Sequence, residues 1–371
     1  MRKVKLVELL RIKHGFAFKS ENYVDKSPFA LVTLGNISGS NNFQFNPEKT
    51  TYYGAAFPEE FKLETDDLIM PLTEQVVGLF GNSAFVPEMH GIQFVLNQRV
   101  GKVIPYEDKA DKYYLHYLLS TELVREQLEY RASGTQQRNI SPTDVYDVTV
   151  FVPEIETQRK IGRLLYSIEL KINSNNHIND NLQQMAYATY MHTFYGCAAN
   201  GKLSDIIVEN EKSTVQVGEA KEASGNYPFF TSGDAILRWS STIISGRNCF
   251  LNTGGNAGIK FYVGDAAYST DTWCITGADG YADYLYLLLE SIKPELNLKF
   301  FQGTGLKHLQ KPLLRDKPIY IPTESEIKTF NDDVQPWMTM ISENARQNQD
   351  LISLRNWLLP MLMNGQATIS D

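Results

Sequence analysis

Two long segments of the chain place apolar residues alternately four and three positions apart. They run from about residue 156 to 194 and from about residue 325 to 359. We call the residues at this spacing on each segment its seam. The first seam contains Ile161, Leu165, Ile168, Ile172, Asn175, Asn179, Leu182 and Ala186. The positions 169 residues later form the second seam: Phe330, Val334, Trp337, Ile341, Asn344, Asn348, Leu351 and Arg355. This spacing is typical of a coiled coil. We expect two helices of about 50 Å that pair with each other; two unrelated surface helices are the alternative.

Both seams contain two successive asparagines at matching positions. A seam asparagine costs stability but fixes the register, because a slipped partner leaves its amide buried without a hydrogen bond. If the helices pair antiparallel about a local two-fold axis, Asn175 should lie near Asn348, and Asn179 near Asn344. In the alternative, the seam frays here and the asparagines face water.

The rest of the sequence contains an internal repeat. The run YLHYLL at 114–119 recurs as YLYLLL at 284–289, an offset of 170 residues. The pairs that recur at an offset of 169 are Gly134-Thr135 with Gly303-Thr304, and Val152-Pro153 with Ile321-Pro322. Each of these prolines precedes one of the long helical segments. The chain is therefore predicted to be two copies of one unit, each a globular domain followed by a long helix.

The globular parts have the pattern of mixed structure rich in strands. Short apolar runs bounded by turn residues predict strands at 29–34, 67–70, 94–96, 249–251, 259–263 and 272–275. A helix is expected near 112–130, with a counterpart at 282–292. We therefore predict an α+β fold: two pseudo-repeated mixed α/β domains joined by two long helices that form an antiparallel coiled coil. The expected boundaries are a first domain at 1–152, a first long helix at 153–196, a second domain at 197–321, and a second long helix with the C-terminal helix at 322–371.

Charge and composition narrow the function classes. The 371 residues include 35 Lys and Arg against 43 Asp and Glu, a net charge of −8. This balance argues against a protein that coats nucleic acid through bulk positive charge, although local patches or a partner could still read it. The three cysteines form no CxxC pair, and two or three of them are expected to be small buried hydrophobes in a reducing compartment. No signal peptide or membrane-spanning run is recognised, so a cytoplasmic protein is expected.

Motifs of known catalytic sites are missing from the sequence. It contains no P-loop, no His-Glu-x-x-His zinc helix and no Gly-x-Ser-x-Gly elbow, and its six histidines are scattered. We predict no catalytic residue and no metal site. Residues 252–258, NTGGNAG, lie between two predicted strands. They favour a glycine-rich hairpin, or an approach of backbone N–H groups to a polyanion.

The connections before each proline are the strongest candidates for a binding site. Residues 131–139 read RASGTQQRN and combine amides, arginines and glycine in one short loop. Gln can read adenine edges in the major groove, Arg can read guanine or hold phosphate, and Gly permits close approach. The candidate DNA-binding residues are Gly134, Thr135, Gln136, Gln137 and Arg138, then Gly303, Thr304, Lys307 and His308 in the second copy, and the polar pair Gln98 and Arg99 at a strand end. Solvated turns that only connect elements are the alternative.

Several of these segments resemble a known family. GTQQRNIS at 134–141, Val152-Pro153, and QRKI at 158–161 before a heptad helix resemble the DNA specificity subunit of type I restriction–modification enzymes. GFAFKS at 15–20, LVTLGNI at 31–37 and YPFF at 227–230 look like the entry strands of its target recognition domains, and LRNWLLPMLMNGQ at 354–366 is similar to its C-terminal helix. The match spans essentially the whole chain, which is on the compact side for the family. The second copy departs from the motif at Leu306 and Ile327, where the first copy has Gln137 and Gln158.

The resemblance implies a bipartite DNA reader. Each recognition domain would read one half of a split, asymmetric site in double-stranded DNA. The paired helices would set the separation of the halves and dock the methylation subunits, of which two are expected. S-adenosylmethionine would bind those subunits, and a restriction subunit would use ATP and Mg²⁺. This chain would hold no cofactor and catalyse nothing by itself. The alternatives are a recognition subunit of a related methyltransferase or phage-defence complex, and a non-DNA scaffold whose coiled coil joins two protein-binding domains.

Overall fold

The computed structural model describes residues 1–37 and 42–369, which form two compact units. Unit 1 comprises residues 1–170 together with the chain from residue 352 onward, and unit 2 comprises residues 171–351. Besides single 3₁₀ and π turns, the helices are α1 (Lys112–Leu119), α2 (Glu122–Arg131), α3 (Pro142–Tyr146), α4 (Ile155–Thr193), α5 (Val217–Glu222), α6 (Ala282–Ser291), α7 (Lys293–Glu295), α8 (Lys311–Arg315) and α9 (Glu324–Met363). The long helices α4 and α9 have 39 and 40 residues, and each contributes residues to both units.

Both long helices begin two residues after a proline. Pro153 precedes α4, and Pro322 precedes α9. At the start of α9, Thr323 and Glu326 satisfy each other's backbone: the Thr323 N–H donates to Glu326 Oε2 at 2.7 Å, and the Glu326 N–H donates to Thr323 Oγ1 at 3.4 Å. The two predicted long helices are confirmed, and α9 continues four residues beyond the predicted end, to Met363.

Unit 1 is built on short strands that pair mainly antiparallel. They are β1 (Arg2–Lys5), β2 (Leu10–His14), β3 (Tyr23–Val24), β4 (Phe29–Val32), β5 (Tyr52–Tyr53), β6 (Leu68–Pro71), β7 (Thr73–Glu74), β8 (Ala84–Phe85), β9 (Gln93–Leu96), β10 (Val100–Pro105), β11 (Arg138–Asn139) and β12 (Thr149–Val152). The larger sheets have the orders β2-β10-β6-β8 and β3-β5-β4-β9, and β4 and β9 run parallel. The first strand β1 pairs with the last, β12, so the domain closes just before α4 begins.

Unit 2 repeats this topology with a different set of loops. Its strands are β13 (Gly201–Lys202), β14 (Ile207–Glu209), β15 (Tyr227–Phe230), β16 (Ile236–Trp239), β17 (Arg247–Asn252), β18 (Ile259–Val263), β19 (Ala267–Tyr268), β20 (Thr272–Gly277), β21 (Phe301–Gln302), β22 (His308–Leu309) and β23 (Pro318–Ile319). The order β14-β20-β17-β18 matches β2-β10-β6-β8, the parallel pair β15–β19 matches β4–β9, and β13 with β23 closes the domain as β1 with β12 does. The duplication that the sequence predicts is therefore a duplication of strand order.

The hairpin predicted at residues 252–258 is confirmed, whereas one predicted helix is divided. Strands β17 and β18 pair antiparallel on either side of the glycine-rich turn. The single helix expected near 112–130 is wrong, because α1 ends at Leu119 and α2 begins at Glu122. Between them, the hydroxyls of Ser120 and Thr121 donate to the carbonyls of Tyr117 and Leu118, at 2.8 and 2.7 Å. These side-chain hydrogen bonds compete with helix continuation, and Thr121 is extended, with ψ of 148°.

Each unit has its own main core, and the first part of each long helix seam belongs to it. Ile161 and Leu165 of α4 are buried in the core of unit 1 together with Tyr114. Phe330 and Val334 of α9 are buried in the core of unit 2 together with Tyr284. The apolar residues at the start of both seams therefore attach the helix to its globular domain.

Candidate nucleic-acid interface

The polar loop before the first long helix is a closed and rigidly held element. Loop 1 (residues 133–139) is closed by two backbone hydrogen bonds between Ser133 and Asn139, at 3.0 and 2.8 Å. Gly134 has a φ of +110°, and a Cβ built on it would lie 2.1 Å from the carbonyl oxygen of Gln137. Only glycine fits this position, because the left-handed backbone and the close approach both exclude a side chain. Gly134, Thr135 and Gln136 are exposed, and Gln137 and Arg138 are half-buried.

The second copy builds the same loop from different side chains. Loop 2 (residues 302–308) is closed by the pairing of Gln302 with His308, which are the positions of Ser133 and Asn139 plus 169. Gly303 has a φ of +151°, and its Cβ would lie 2.7 Å from the carbonyl oxygen of Leu306. Gly303, Thr304, Lys307 and His308 are all exposed. The two loops thus share a backbone and differ in what they present.

Each loop is fixed to the matching strand of its sheet. In unit 1, the Ile140 N–H donates to the Leu72 carbonyl at 3.0 Å, directly after β6. In unit 2, the Leu309 N–H donates to the Thr253 carbonyl at 3.0 Å, directly after β17. The turn with Gln98 and Arg99, both exposed, reaches the same place in unit 1, because the Leu72 N–H donates to the Arg99 carbonyl at 2.9 Å. The structure therefore brings together two groups of candidate residues that are separated by more than thirty positions in the sequence.

Arg138 lies against a buried carboxylate that the sequence analysis missed. Its Nη2 is 2.6 Å from Glu74 Oε1, and the Glu74 side chain is only 1% exposed. The other oxygen, Glu74 Oε2, accepts the backbone N–H groups of Leu79 at 2.9 Å and Phe80 at 3.2 Å. The guanidinium carbon also lies 5.6 Å from the centre of the Phe80 ring. Arg138 thus has an internal role in this structure, and its contact with DNA stays a prediction.

Glu74 could not be found from the sequence pattern. It is an isolated acid that precedes every candidate binding residue in the sequence, 64 positions before Arg138. Only the antiparallel pairing of β7 with β11 places the two residues opposite each other.

The four seam asparagines meet within unit 2. The Asn175 Nδ2 donates to Asn348 Oδ1 at 2.8 Å, and the Asn344 Nδ2 donates to Asn179 Oδ1 at 2.9 Å. Because the residue number rises on α4 as it falls on α9, the helices are antiparallel here, as the predicted fold requires. Asn175 and Asn348 are buried, with exposed fractions of 0% and 7%, whereas Asn179 and Asn344 are half-buried.

The cysteines and the potential metal ligands do not form a cluster in the described part of the chain. Cys249 and Cys274 are buried and in the thiol form, as expected, while Cys197 is exposed. Burial raises the pKa of the Cys274 thiol to about 12, which suppresses its reactivity as a thiolate. Across residues 1–37 and 42–369, no cluster of three His, Cys, Asp or Glu side chains is arranged to hold a metal ion. Within the same ranges, none of the helices combines the length and apolar character needed to cross a membrane.

The geometry defines a class of protein: a duplicated α+β domain, each copy with an exposed glycine loop and a long helix that follows it. The model of the type I restriction modification DNA specificity domain matches residues 1–184 and 199–335. These two stretches cover most of the chain, so the chain belongs to this family.

Curated relatives share modest identity with the chain. The type I restriction enzyme MjaVIII specificity subunit of Methanocaldococcus jannaschii is 26% identical over 170 residues, which cover 45% of this chain and 39% of that protein. The type I restriction enzyme EcoBI specificity subunit of Escherichia coli is 23% identical over 252 residues, covering 68% of this chain and 46% of that protein. The chain therefore spans less than half the length of these two curated relatives.

A solved structure shares the fold over the whole chain. The S subunit of a type I restriction–modification system from M. genitalium aligns with a TM-score of 0.68 at 12% identity, covering 100% of this chain and 96% of that one. At this identity the likeness concerns the fold alone. It confirms the predicted α+β fold of two β-rich domains with two long helices packed together.

Proposed function

We propose that the chain is the DNA-reading subunit of a type I restriction–modification complex, and that each unit reads one half of a split, asymmetric site. One observation carries the proposal: the two units repeat one backbone at loops 1 and 2 while presenting different side chains there. Gln137 in loop 1 corresponds to Leu306 in loop 2, and Arg138 corresponds to Lys307. A shared scaffold with different side chains suits two domains that bind the same polymer at different base sequences.

The finer assignments follow from family membership and from the absence of catalytic motifs in the sequence. The chain would catalyse nothing alone, and the paired part of α4 and α9 would serve as spacer and docking surface for two methylation subunits. Those subunits would supply S-adenosylmethionine-dependent adenine methylation, and restriction subunits would supply ATP- and Mg²⁺-dependent cleavage. Partner subunits would also supply basic surface, because this chain has a net charge of −8.

The decisive experiment exchanges one domain at a time. Residues 1–152 are replaced by the equivalent domain of another specificity subunit, and the methylated adenines are mapped in a genome that expresses the chimera with its methylation subunit. We expect one half of the recognised sequence to change, while the other half and the gap persist. The matched control replaces residues 197–321 and should change only the second half.

Three outcomes would contradict the proposal. If both halves changed together in either chimera, the units would not be independent readers. If the chain with its methylation subunit showed no salt-dependent DNA binding, the scaffold alternative would be favoured. A complex that methylates this site but has no restriction subunit would instead point to a stand-alone methyltransferase system.

A further inference from the structure

Two adjacent valines are held in solvent next to loop 1. Val76 is 79% exposed and Val77 is 69% exposed, which places them among the most exposed large apolar residues described. They lie just after β7, the strand that pairs with loop 1 through Glu74 and Arg138. Two adjacent exposed aliphatic side chains beside a candidate binding loop form a small apolar patch that a ligand of the loop could cover.

The segment that bears these valines is held at both ends. Glu74 precedes it and pairs with Arg138 of loop 1, and the same carboxylate accepts the N–H groups of Leu79 and Phe80 that follow it. Gly78 turns the chain with a φ of +101°. One buried carboxylate thus fixes the valine segment (residues 75–78) and loop 1 to each other. Their relative placement is set before any ligand binds, which lowers the entropic cost of a joint contact.

Unit 2 also presents an exposed aliphatic side chain at the equivalent edge, but this side chain belongs to the glycine loop itself. Leu306 is 66% exposed and lies within loop 2, at the position that Gln137 holds in loop 1. A Cβ built on Gly254 would lie 3.7 Å from Leu306 Cδ2, so this side chain lies over the backbone that follows β17. Both units therefore present aliphatic surface beside a polar glycine loop.

We propose that Val76 and Val77 contact the 5-methyl group of a thymine in the major groove of the first half-site, and that Leu306 does the same in the second. The inference rests on the proposed function and adds the chemical feature that is read. In the major groove, the thymine methyl is the apolar group by which an A·T pair differs from the others, and the same pair presents an adenine edge that an amide can read. In unit 1, Gln136 and Gln137 belong to loop 1, which the Glu74–Arg138 pair joins to the valine segment, so this edge of the domain offers both an amide and an aliphatic group.

The test removes the methyl group from the DNA. The chain is assembled with its methylation subunit, and binding is measured to duplexes in which each thymine of the mapped half-site is replaced in turn by deoxyuridine. We expect the affinity of the wild-type complex to fall about fourfold at one thymine of the first half-site, which is the change for one buried methyl group. The Val76→Ala/Val77→Ala variant should lose a similar amount on the thymine duplex and show no further loss with deoxyuridine at that position.

Controls separate this inference from the proposed function. Val7→Ala changes another exposed valine of unit 1, 44% exposed, and should behave like the wild type on every duplex. Leu306→Ala should remove the sensitivity to deoxyuridine in the second half-site only. Wild-type binding to the unmodified site measures the proposed function, and its failure would reject that function directly.

Several results would overturn the inference while leaving the proposed function intact. These are an unchanged affinity at every deoxyuridine position, an equal loss in the wild type and the double variant, or a first half-site without an A·T pair. A double variant that loses its methylation subunit in the absence of DNA would assign the valines to a protein interface instead.

Discussion

The two units differ most clearly where the end of a long helix packs against the globular domain. In unit 2, Tyr190 and Phe194 at the end of α4 pack against Tyr284, with ring centres 5.7 and 5.2 Å apart. In unit 1, the matching positions at the end of α9, obtained by adding 169, are Leu359 and Met363. The contact between the helix end and the globular domain is therefore aromatic in unit 2 and is made by smaller aliphatic side chains in unit 1.

A groove lies at this position in unit 1. A groove of about 600 Å³ is lined there by residues that include Leu118, Leu123, Phe151, Leu359 and Met363. Since the strand order is the same in both units, the backbone does not dictate how fully this position is packed. The comparison shows that the duplicated fold requires apolar residues here, whereas the size of those residues is free to differ.

A second difference concerns charge at the domain–helix contact. Strand β6 pairs with β10 in unit 1, and β17 pairs with β20 in unit 2. When these two strand pairs are aligned, Arg247 of unit 2 is equivalent to Asp66 of unit 1. Arg247 donates to both oxygens of the buried Asp283 at 2.7 Å, and to Thr339 Oγ1 of α9 at 3.0 Å. Asp66 instead accepts from Tyr113 at 2.8 Å and pairs with Lys112, whose side chain is 35% exposed. The ion pair is therefore well buried in unit 2 and half-buried in unit 1.

The largest expected effect comes from breaking the buried ion pair of unit 2. Arg247→Met leaves the Asp283 carboxylate, 0% exposed, without its partner, and should lower the free energy of unfolding by about 3–5 kcal/mol. The matched variant of unit 1, Asp66→Asn, should cost less, about 1 kcal/mol, because both side chains of that pair keep about a third of their surface in solvent. Urea unfolding followed by circular dichroism measures both. Equal losses would show that the two contacts are energetically alike.

The same variant predicts a change in pH dependence. Burial raises the pKa of Asp283 above 3.8, and the Arg247 guanidinium opposes that rise. A carboxyl whose pKa is raised by folding holds its proton more tightly in the folded state, so its contribution to stability falls as pH rises above the unfolded value. Without Arg247 the pKa of Asp283 should rise further, so more stability should be lost as the pH increases. The free energy of unfolding of Arg247→Met should therefore be closer to that of the wild type at about pH 4.5 than at about pH 7.

An intermediate effect is expected at the asparagine pairs, which are two copies of one contact. Asn348 accepts from Asn175 and donates to Asn176 Oδ1, at 2.8 Å each, and it is buried. Asn348→Leu should cost about 1–3 kcal/mol because the buried amide of Asn175 loses one of its hydrogen-bond partners. Its image in the repeat, Asn179→Leu, should cost less because that site is half-buried. Thermal unfolding compares the two, and a larger loss for Asn179→Leu would reverse the expected order.

Replacing both partners tests whether the pair fixes the register. Asn175→Leu with Asn348→Leu should retain or raise thermal stability, since both buried amides are removed together and their other partners, Asn176 and Gln347, are exposed to water. The register should then be less well defined. Disulfide trapping between cysteines placed at successive turns of α4 and α9 would detect slipped pairings, and a single trapped pairing would show that the apolar seam alone sets the register.

The smallest expected effect comes from making unit 1 resemble unit 2. Met363→Phe introduces the aromatic ring that Phe194 supplies at the matching position, and filling the groove should raise the free energy of unfolding by about 0.5–1 kcal/mol. The reverse change, Phe194→Met, should lower it by a similar or larger amount because Phe194 is 3% exposed. Denaturant midpoints measure both. A loss in both variants would mean that each unit is already packed around its own side chains.

Much of the architecture was determined by the sequence alone, because it depends on short-range periodicity. The alternating spacing predicts helices at 156–194 and 325–359, and the structure has them at 155–193 and 324–363. The offset of 169 also identifies matching loops, since Gly134 and Gly303 are both required by the same positive-φ turn. The prediction failed at residues 112–130, where apolar periodicity continues through a break made by the side chains of Ser120 and Thr121.

Only the tertiary structure decided which distant residues meet. Nothing in the sequence around Glu74 indicates that its carboxylate is buried beside Arg138, because their contact depends on the register of two strands 64 positions apart. The same holds for the first residues of each helix seam, whose spacing fits a coiled coil but which pack into the core of a globular domain. Periodicity records which face of a helix is apolar, since that depends on the 3.6-residue turn. Periodicity does not determine which segment covers that face or which charged residues form ion pairs, because both depend on how segments remote in the sequence pack together.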